Sequence, residues 1–207
     1  MTKPELIHWI VDAEWKFFSS AQNEGGRASC QEDPKTFSIM RCAQFDAWDE
    51  PTLEYYKENL TRYAQEGRNP IAEKYGHMMA FTDPVAYSKI EHLLRKPNLT
   101  EKYLAGMINE ILVKQTEVCM AKYPAVMKRG RPIHSSEDTP YNVSSQTYML
   151  CELYTYGEDT LKCLYTHIMN LRAKDKNYIE QVQENTALAY GYASLRAAND
   201  AMLIANR

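Results

Sequence analysis

The sequence predicts an all-α protein, a single compact helical domain of about eight helices. Two observations carry this prediction. Apolar residues recur every three or four positions through most of the 207-residue chain, which is the spacing that places them on one face of a helix. Runs of alternating β-branched residues, which would indicate strands, do not occur in the sequence. A chain of this kind buries its apolar faces helix against helix.

Prolines mark the helix starts predicted for the first half of the chain. Pro4 begins the first helix, which ends before the loop QNEGGRASCQED. Asp33 reads as an N-cap for a helix that begins at Pro34, because an aspartate oxygen accepts a free N–H of the first turn. An acidic residue before Pro51 repeats the signal, and that helix ends at Gly67. Two shorter helices follow within NPIAEKYGHMMAF and TDPVAYSKIEHLLRK.

The segment KPNLT, residues 96–100, is the predicted boundary between two parts of the domain, because it combines a proline with a turn-forming asparagine. A long helix runs from there to about Lys122. The loop KRGRPIHSSEDTPY follows at residues 128–141. Three more helices are predicted at about 140–156, 158–173 and 176–204.

The two parts, residues 1–96 and 97–207, resemble each other in sequence, and the matches occur in the same order in both. The paired residues are Gly26–Arg27 with Gly130–Arg131, Glu32–Asp33 with Glu137–Asp138, Trp48 with Tyr156, and Asn69 with Asn177. This order predicts an internal duplication. Two copies of one helical unit would cover each other's apolar faces around a pseudo-two-fold axis.

Composition excludes several classes of protein. Apolar residues make up 44% of the chain and charged residues 25%, so a disordered chain is not expected. A net charge of -3 lacks the basic excess of a general nucleic-acid binder, and no apolar run is long enough to span a membrane. The five cysteines form no metal-binding pattern, and no secretory signal is present. We therefore expect a cytoplasmic protein that binds neither nucleic acid nor membrane.

The segments GGRASCQ at 25–31 and GRPIHSSEDTPY at 130–141 resemble the two signature loops of an uncharacterised bacterial family, described only as a domain of unknown function. The resemblance extends over nearly the whole chain. It implies a cytosolic helical protein and carries no activity, cofactor or catalytic assignment. His134 departs from the pattern, in which a basic residue such as arginine stands, so a role based on charge at this position is in question.

Arg27 and Arg131 follow a glycine at equivalent places in the two loops. A guanidinium is permanently charged, and its forked donors match a carboxylate or phosphate. The pair is therefore a candidate anion clamp. Alternatively, each arginine ties its own loop to a helix C-terminus or to the neighbouring Glu–Asp pair.

Three further side chains could carry chemistry. Glu137 and His134 are candidates for proton transfer, and Cys30 is a candidate nucleophile near an arginine and a helix N-terminus. The predicted ligand contacts beside them are Ser29, Ser135, Ser136, Glu32 and Asp138. Turn formation and helix capping are the competing explanation for these polar residues. No metal site is expected, and the sequence assigns no cofactor.

Two functions remain open at this point. The first is an enzyme that acts on a small anionic metabolite, a carboxylate or phosphate held by the paired Gly–Arg loops. The alternative is a non-catalytic helical adaptor or small-molecule-binding protein whose loops are structural. The C-terminal helix carries Leu195, Ala198, Met202 and Leu203 on one side, which suits either internal packing or a homodimer interface.

Overall fold

The computed structural model describes residues 1–22 and 26–205, and it confirms the all-α class. Within this part of the chain, eleven α-helices and two short 3₁₀-helices form one domain without a strand. The α-helices are α1 (Lys3–Ser20), α2 (Pro34–Asp46), α3 (Glu50–Gln65), α4 (Pro70–Thr82), α5 (Pro84–Ile90), α6 (Leu99–Lys122), α7 (Pro124–Met127), α8 (Ser145–Leu153), α9 (Glu158–Arg172), α10 (Tyr178–Ala189) and α11 (Leu195–Ala205). The 3₁₀-helices are Ser29–Glu32 and Ser135–Glu137.

The predicted helix starts of the first half are confirmed by their hydrogen bonds. Asp33 Oδ1 accepts the N–H of Thr36 at 3.0 Å, so this aspartate caps α2 as expected. The cap of α3 is Asp49, one residue before the acidic residue that adjoins Pro51. Asp83 caps α5 in the same way. These caps are local, because a side chain bonds a main-chain group three residues away.

The prediction of one helix over residues 176–204 is wrong, and so is the count of eight. The chain leaves the helix after Ala189, and Gly191 adopts a φ of +86°, a left-handed conformation that glycine tolerates. A new helix, α11, then starts at Leu195. The short helix α7, which the sequence did not predict, also adds to the number.

The helix predicted to start at Pro140 begins five residues later, at Ser145. Thr139 and Asn142 exchange main-chain hydrogen bonds of 2.9 and 3.3 Å and so close a tight turn at Pro140. Ser144 then caps α8 by accepting the N–H of Thr147 at 3.2 Å. Neither Thr139 nor Asp138 therefore caps a helix at Pro140, and the predicted start of this helix at about residue 140 is wrong.

Large aromatic side chains fill the centre of the domain. Trp48, 1% exposed, makes edge-to-face contacts at centroid distances between 5.1 and 5.9 Å with Phe45, Tyr56 and Tyr156. Such pairs add about 0.5–1.5 kcal/mol each beyond the burial of their area. Because the four rings come from α2, α3 and the residues just after α2 and α8, their contacts fix these elements relative to one another.

Helices of the two predicted halves exchange packing partners. In the first half, α4 packs against α8 of the second, and α10 of the second packs against α2 of the first. Helices α3 and α9 pack against each other, and each also contacts the first helix of its own half, α1 or α6. A duplicated unit with a pseudo-two-fold axis has this pattern of contacts. The duplication itself, and the division into residues 1–96 and 97–207, stay predictions.

The C-terminal helix uses its predicted apolar side internally. Leu195 and Ala198 of α11 are buried in a second, smaller core cluster with Cys119 and Ala187. Leu203 remains 44% exposed near the end of the helix. A homodimer interface at this end stays a prediction. None of the helices that the structure describes is both long enough and apolar enough to cross a membrane.

Candidate functional site

Four charged side chains meet inside the domain, and each comes from a different helix. Arg41 of α2 forms a forked ion pair with Glu14 of α1, with Nε–Oε2 and Nη2–Oε1 distances of 2.6 and 2.5 Å. Its Nη1 lies 2.9 Å from Oε1 of Glu152 in α8. Lys74 of α4 lies 3.3 Å from Oε2 of the same glutamate. Glu14 is 0% exposed and Lys74 4%, so this core charge network is shielded from water.

Hydroxyl groups complete the core charge network. Tyr56 donates to Glu14 Oε1 at 2.6 Å, and Tyr156 donates to Glu152 Oε1 at 2.8 Å. The Lys74 ammonium donates to the hydroxyl of Tyr148 at 2.7 Å. Two carboxylates and two cations balance in charge, and these bonds offset the cost of removing them from water.

The pKa shifts keep the members of the network ionised. Burial alone would raise the pKa of Glu152, but Arg41, Lys74 and the Tyr156 hydroxyl hold it well below its usual range. Burial opposes the charge of Lys74, but Glu152 and Tyr148 outweigh it and raise the pKa of Lys74 above its usual value. Around neutral pH, both groups therefore carry their charges.

The core charge network separates two cavities. The first, which we call the loop cavity, has a volume of about 260 Å³ and lies between the first loop, α2, α4 and Tyr148. The second, the aromatic cavity, has a volume of about 120 Å³ and lies beside Trp48, Tyr156 and Tyr178. Tyr148 lines both.

The members of the core charge network that line the two cavities differ in charge. Arg41 and Lys74 line the loop cavity, whereas neither Glu14 nor Glu152 does. Glu152 lines the aromatic cavity, and neither cation does. The loop cavity therefore has a cationic inner wall, and the aromatic cavity has an anionic one.

Arg27 binds the main chain of its own neighbourhood. Its guanidinium donates to the carbonyl oxygens of Ser19 and Gln31, both at 3.1 Å, and Nε lies 3.9 Å from Glu32 Oε1. These bonds attach the first loop to the C-terminal end of α1, which is the structural alternative given for this residue. Arg27 does not line the loop cavity. Gly25, in the first signature loop, lies outside the described residues.

Arg131 also bonds its own loop, but it reaches the wall of the loop cavity. It donates to the carbonyl oxygen of Val143 at 3.0 Å. The same guanidinium lies 4.7 Å above the ring centroid of Tyr148, a cation–π contact. The second loop thus supports the ring that forms one side of the cavity.

Tyr75 of α4, at the loop cavity, is affected by residues of both loops. The exposed thiol of Cys30, from the first loop, lines the loop cavity beside Tyr75 of α4. Burial and the neighbouring Tyr148 raise the pKa of Tyr75 to about 12, with Cys30 acting in the same direction and with Lys74 and Arg131 opposing. Cys30 of the first loop and Arg131 of the second therefore both affect the pKa of Tyr75.

Glu137 and His134 occupy a different place from Cys30. Glu137 Oε2 accepts the N–H of His134 at 3.3 Å and closes the short 3₁₀-helix of the second loop. The His134 ring lies 3.3 Å from Glu117 of α6, and both side chains are about half exposed. Neither His134 nor Glu137 lines the loop cavity.

The other predicted contacts shape the loops. Asp138 accepts the N–H of Ser144 at 2.5 Å and also the hydroxyl of Thr147, so it holds the start of α8. The N–H of Ser135 donates to Gln146 Oε1 at 2.8 Å. Ser29, Ser136 and Glu32 are exposed, and none of them lines the loop cavity.

The sequence-based candidates did not include the core charge network. A partial signal for it existed, because Glu14, Arg41 and Glu152 are charged residues with an apolar residue on either side, whereas Lys74 follows Glu73. The partners are 27 to 111 residues apart in sequence, which hides the pairing. Within the described ranges, no three His, Cys, Asp or Glu side chains are grouped closely enough to hold a metal ion.

Comparison with known families adds one finding. The family described as "Protein of unknown function (DUF4125)" matches residues 4–200. The chain belongs to the DUF4125 family. The matched range contains both loops, both cavities and the core charge network, so all three are parts of this DUF4125 domain. No curated protein and no solved structure matches the chain.

Proposed function

We propose that this DUF4125 protein binds a small anionic metabolite, a carboxylate or phosphate, in the loop cavity. We further propose that it is an enzyme in which the Cys30 sulfur displaces a leaving group from a carbon of that molecule, and that the leaving group departs with the proton of the thiol. One observation carries the proposal. The buried network presents Arg41 and Lys74, and neither of its carboxylates, to a cavity that also contains the Cys30 thiol. A desolvated cationic wall attracts an anion more strongly than an exposed lysine does.

Lys74 is the principal anion contact in this proposal. An ammonium has three N–H donors, and the hydroxyl of Tyr148 and the carboxylate of Glu152 take two of them. No other acceptor within residues 1–22 and 26–205 takes the third, which is therefore available for a ligand oxygen. The guanidinium of Arg41 is already engaged with Glu14, Glu152 and Gln44, so Arg41 contributes mainly its charge.

The rest of the lining sets the shape of the ligand. Phe18, Phe37 and Ile71 give the loop cavity apolar sides, which suit a hydrocarbon or aromatic body attached to the anionic group. Asp33 stands at the exposed rim, where its oxygen caps α2. The anionic group is therefore expected at the inner end beside Lys74, away from Asp33.

Alkylation of Cys30 tests the electrostatic part of the proposal. Iodoacetate is an anion and iodoacetamide its neutral counterpart, and both transfer a carbon to the thiolate with loss of iodide. The ratio of their rates at Cys30 should exceed the ratio at the same cysteine in the urea-unfolded chain by about threefold. This corresponds to ~0.7 kcal/mol, the attraction in water between an anion and one cation at an assumed separation of roughly 6 Å. Mass spectrometry of the peptide that contains Cys30 measures both rates.

Variants distinguish this cavity from a general charge effect. Arg131→Gln should lower the preference for iodoacetate, because it removes a cation beside Tyr148. Arg172→Gln, on an exposed position at the end of α9, is the matched control and should leave the preference unchanged. Benzoate should protect Cys30 from alkylation better than its neutral counterpart benzamide. Inorganic phosphate is the second anion to be tested for this protection. Equal rate ratios in folded and unfolded chains would refute the proposal.

One observation supports the non-catalytic alternative. Both loop arginines bond main-chain carbonyls of their own surroundings, as structural residues do. Under this alternative the loop cavity binds its ligand without reaction. The binding function holds if benzoate protects Cys30 from alkylation and the Cys30→Ser variant keeps its affinity for benzoate. The enzyme function fails if the same variant also leaves the turnover of candidate acids unchanged.

A further inference from the structure

The aromatic cavity has a chemistry opposite to that of the loop cavity. We propose that it is a second binding site, which takes a small organic ammonium ion such as a methylated amine. The site lies on the Glu152 side of the core charge network and shares only Tyr148 with the loop cavity. The two sites are linked by Tyr148 and by the Lys74–Glu152 ion pair, but the proposal rests on the lining of the aromatic cavity and not on the proposed anion binding.

Four aromatic side chains form much of the lining: Trp48, Tyr148, Tyr156 and Tyr178. The face of an aromatic ring carries partial negative charge, and several rings together bind ammonium groups, most strongly where water is excluded. Hydrogen bonds hold three of these rings in place. Trp48 Nε1 donates to the hydroxyl of Tyr178 at 2.7 Å, and Tyr156 donates to Glu152 at 2.8 Å.

Glu152 supplies a full negative charge to the same cavity. Its Oε1 accepts hydrogen bonds from Arg41, Gln44 and Tyr156. Among the residues that the structure describes, Lys74 alone donates to its Oε2, at 3.3 Å, so this oxygen retains a lone pair for a further donor or for contact with a cation. Arg41 and Lys74, the cations that neutralise Glu152, line the loop cavity. A ligand in the aromatic cavity would therefore contact the Glu152 carboxylate and neither cation.

The size of the cavity limits the ligand. A volume of about 120 Å³ is slightly smaller than the ~150 Å³ engineered apolar cavity that accommodates benzene. A methylated ammonium head has a similar size. Leu112, Leu153 and Leu164 complete the apolar lining, which suits methyl groups better than a hydrated primary ammonium. Gln44, Met149 and Val182 are only partly buried and mark the open side.

Choline and 3,3-dimethylbutan-1-ol test the proposal, because they have nearly the same shape and differ in charge. Titration of each into the intact protein, followed by calorimetry, should show that choline binds about fivefold tighter or more. Tighter or equal binding of the neutral alcohol would show a merely apolar cavity. Absence of choline binding at concentrations that saturate weak sites would also overturn the proposal.

A cavity-filling variant locates the site. Val182→Trp should block choline binding, because the larger side chain occupies the open side of the aromatic cavity. Val85→Trp, at a position 71% exposed in α5, is the matched control and should bind choline as the natural chain does. If Val182→Trp does not fold, Met149→Trp at the same opening replaces it. Unchanged binding in a folded blocking variant would place choline elsewhere and refute the assignment.

Discussion

Replacement of Arg41 by methionine tests how much the core charge network stabilises the fold. Methionine is unbranched and fills irregular space, so the change removes the charge while it keeps much of the volume of the arginine stem. It deletes the forked pair with Glu14, at 2.6 and 2.5 Å, and the 2.9 Å bond to Glu152. Glu152 keeps Lys74, Tyr156 and Gln44 as donors, whereas Glu14 keeps only Tyr56 among the described residues.

The expected cost follows from this imbalance. Glu14 is 0% exposed, and removing one partner of a buried ion pair typically costs about 3–5 kcal/mol because the other charge stays buried. In a domain of this size that corresponds to a fall in the melting temperature of roughly 6–20 °C. The loss is a large share of the ~5–15 kcal/mol that stabilises a typical domain.

Urea unfolding followed by far-ultraviolet circular dichroism measures the free energy of unfolding for each variant. The double variant Glu14→Met with Arg41→Met should be more stable than the sum of the two single losses predicts, by about 1–3 kcal/mol, because it leaves no isolated charge from this pair. The dependence on urea concentration should keep its slope, since the surface exposed on unfolding is nearly the same.

Lys114→Met is the control. Lys114 pairs with Glu110 at 2.6 Å, but both side chains are about 70% exposed, and we expect no measurable change in stability. If Arg41→Met is as stable as Lys114→Met, the buried pair does not hold the fold together. If the losses of the Glu14 and Arg41 variants simply add, the two side chains do not act as one unit.

Three further outcomes are expected. Because the pKa of Glu152 is depressed below its ordinary value of 4.5, its stabilising effect is complete above that value and is lost only as pH falls through the lower folded pKa. Lys74→Met should therefore move acid unfolding, followed by circular dichroism, to higher pH. Burial raises the pKa of Cys119 to about 11 and that of Cys151 to about 12, so mass spectrometry should find both unalkylated in the folded protein at neutral pH and modified after unfolding. Ser144→Ala removes the cap of α8 and should lower the free energy of urea unfolding by about 0.5–2 kcal/mol, whereas an unchanged midpoint would show that Asp138 alone secures the helix start.

Sequence patterns predicted the helices best where the determining contact is local. Asp33 caps α2 across three residues, and this signal is complete within one short segment. The late start of α8 depends on Asp138, which bonds Ser144 and Thr147 six and nine residues away across a turn. The sequence predicted a helix start at about Pro140, but the turn closed by Thr139 and Asn142 keeps this segment from being helical.

The candidate site was predictable only in part. The sequence pointed to the two loops, and the structure places Cys30 and the ring beneath Arg131 at one cavity. The inner wall of that cavity depends on Arg41 and Lys74, whose partners lie on other helices far along the chain. Long-range pairing of this kind leaves no periodic pattern, because each member appears as one charged residue within an apolar helix face.

The crossed packing of α4 on α8 and of α10 on α2 has a consequence at high protein concentration. Residues 1–90 present the surfaces of α2 and α4 that α10 and α8 cover, and the segment 91–98 connects α5 to α6. Two molecules can therefore trade residues 99–207 and recreate the packing of α4 on α8 and of α10 on α2 without a new interface. A domain-swapped dimer of this type needs only an opened linker, and shortening that linker should favour it over the monomer.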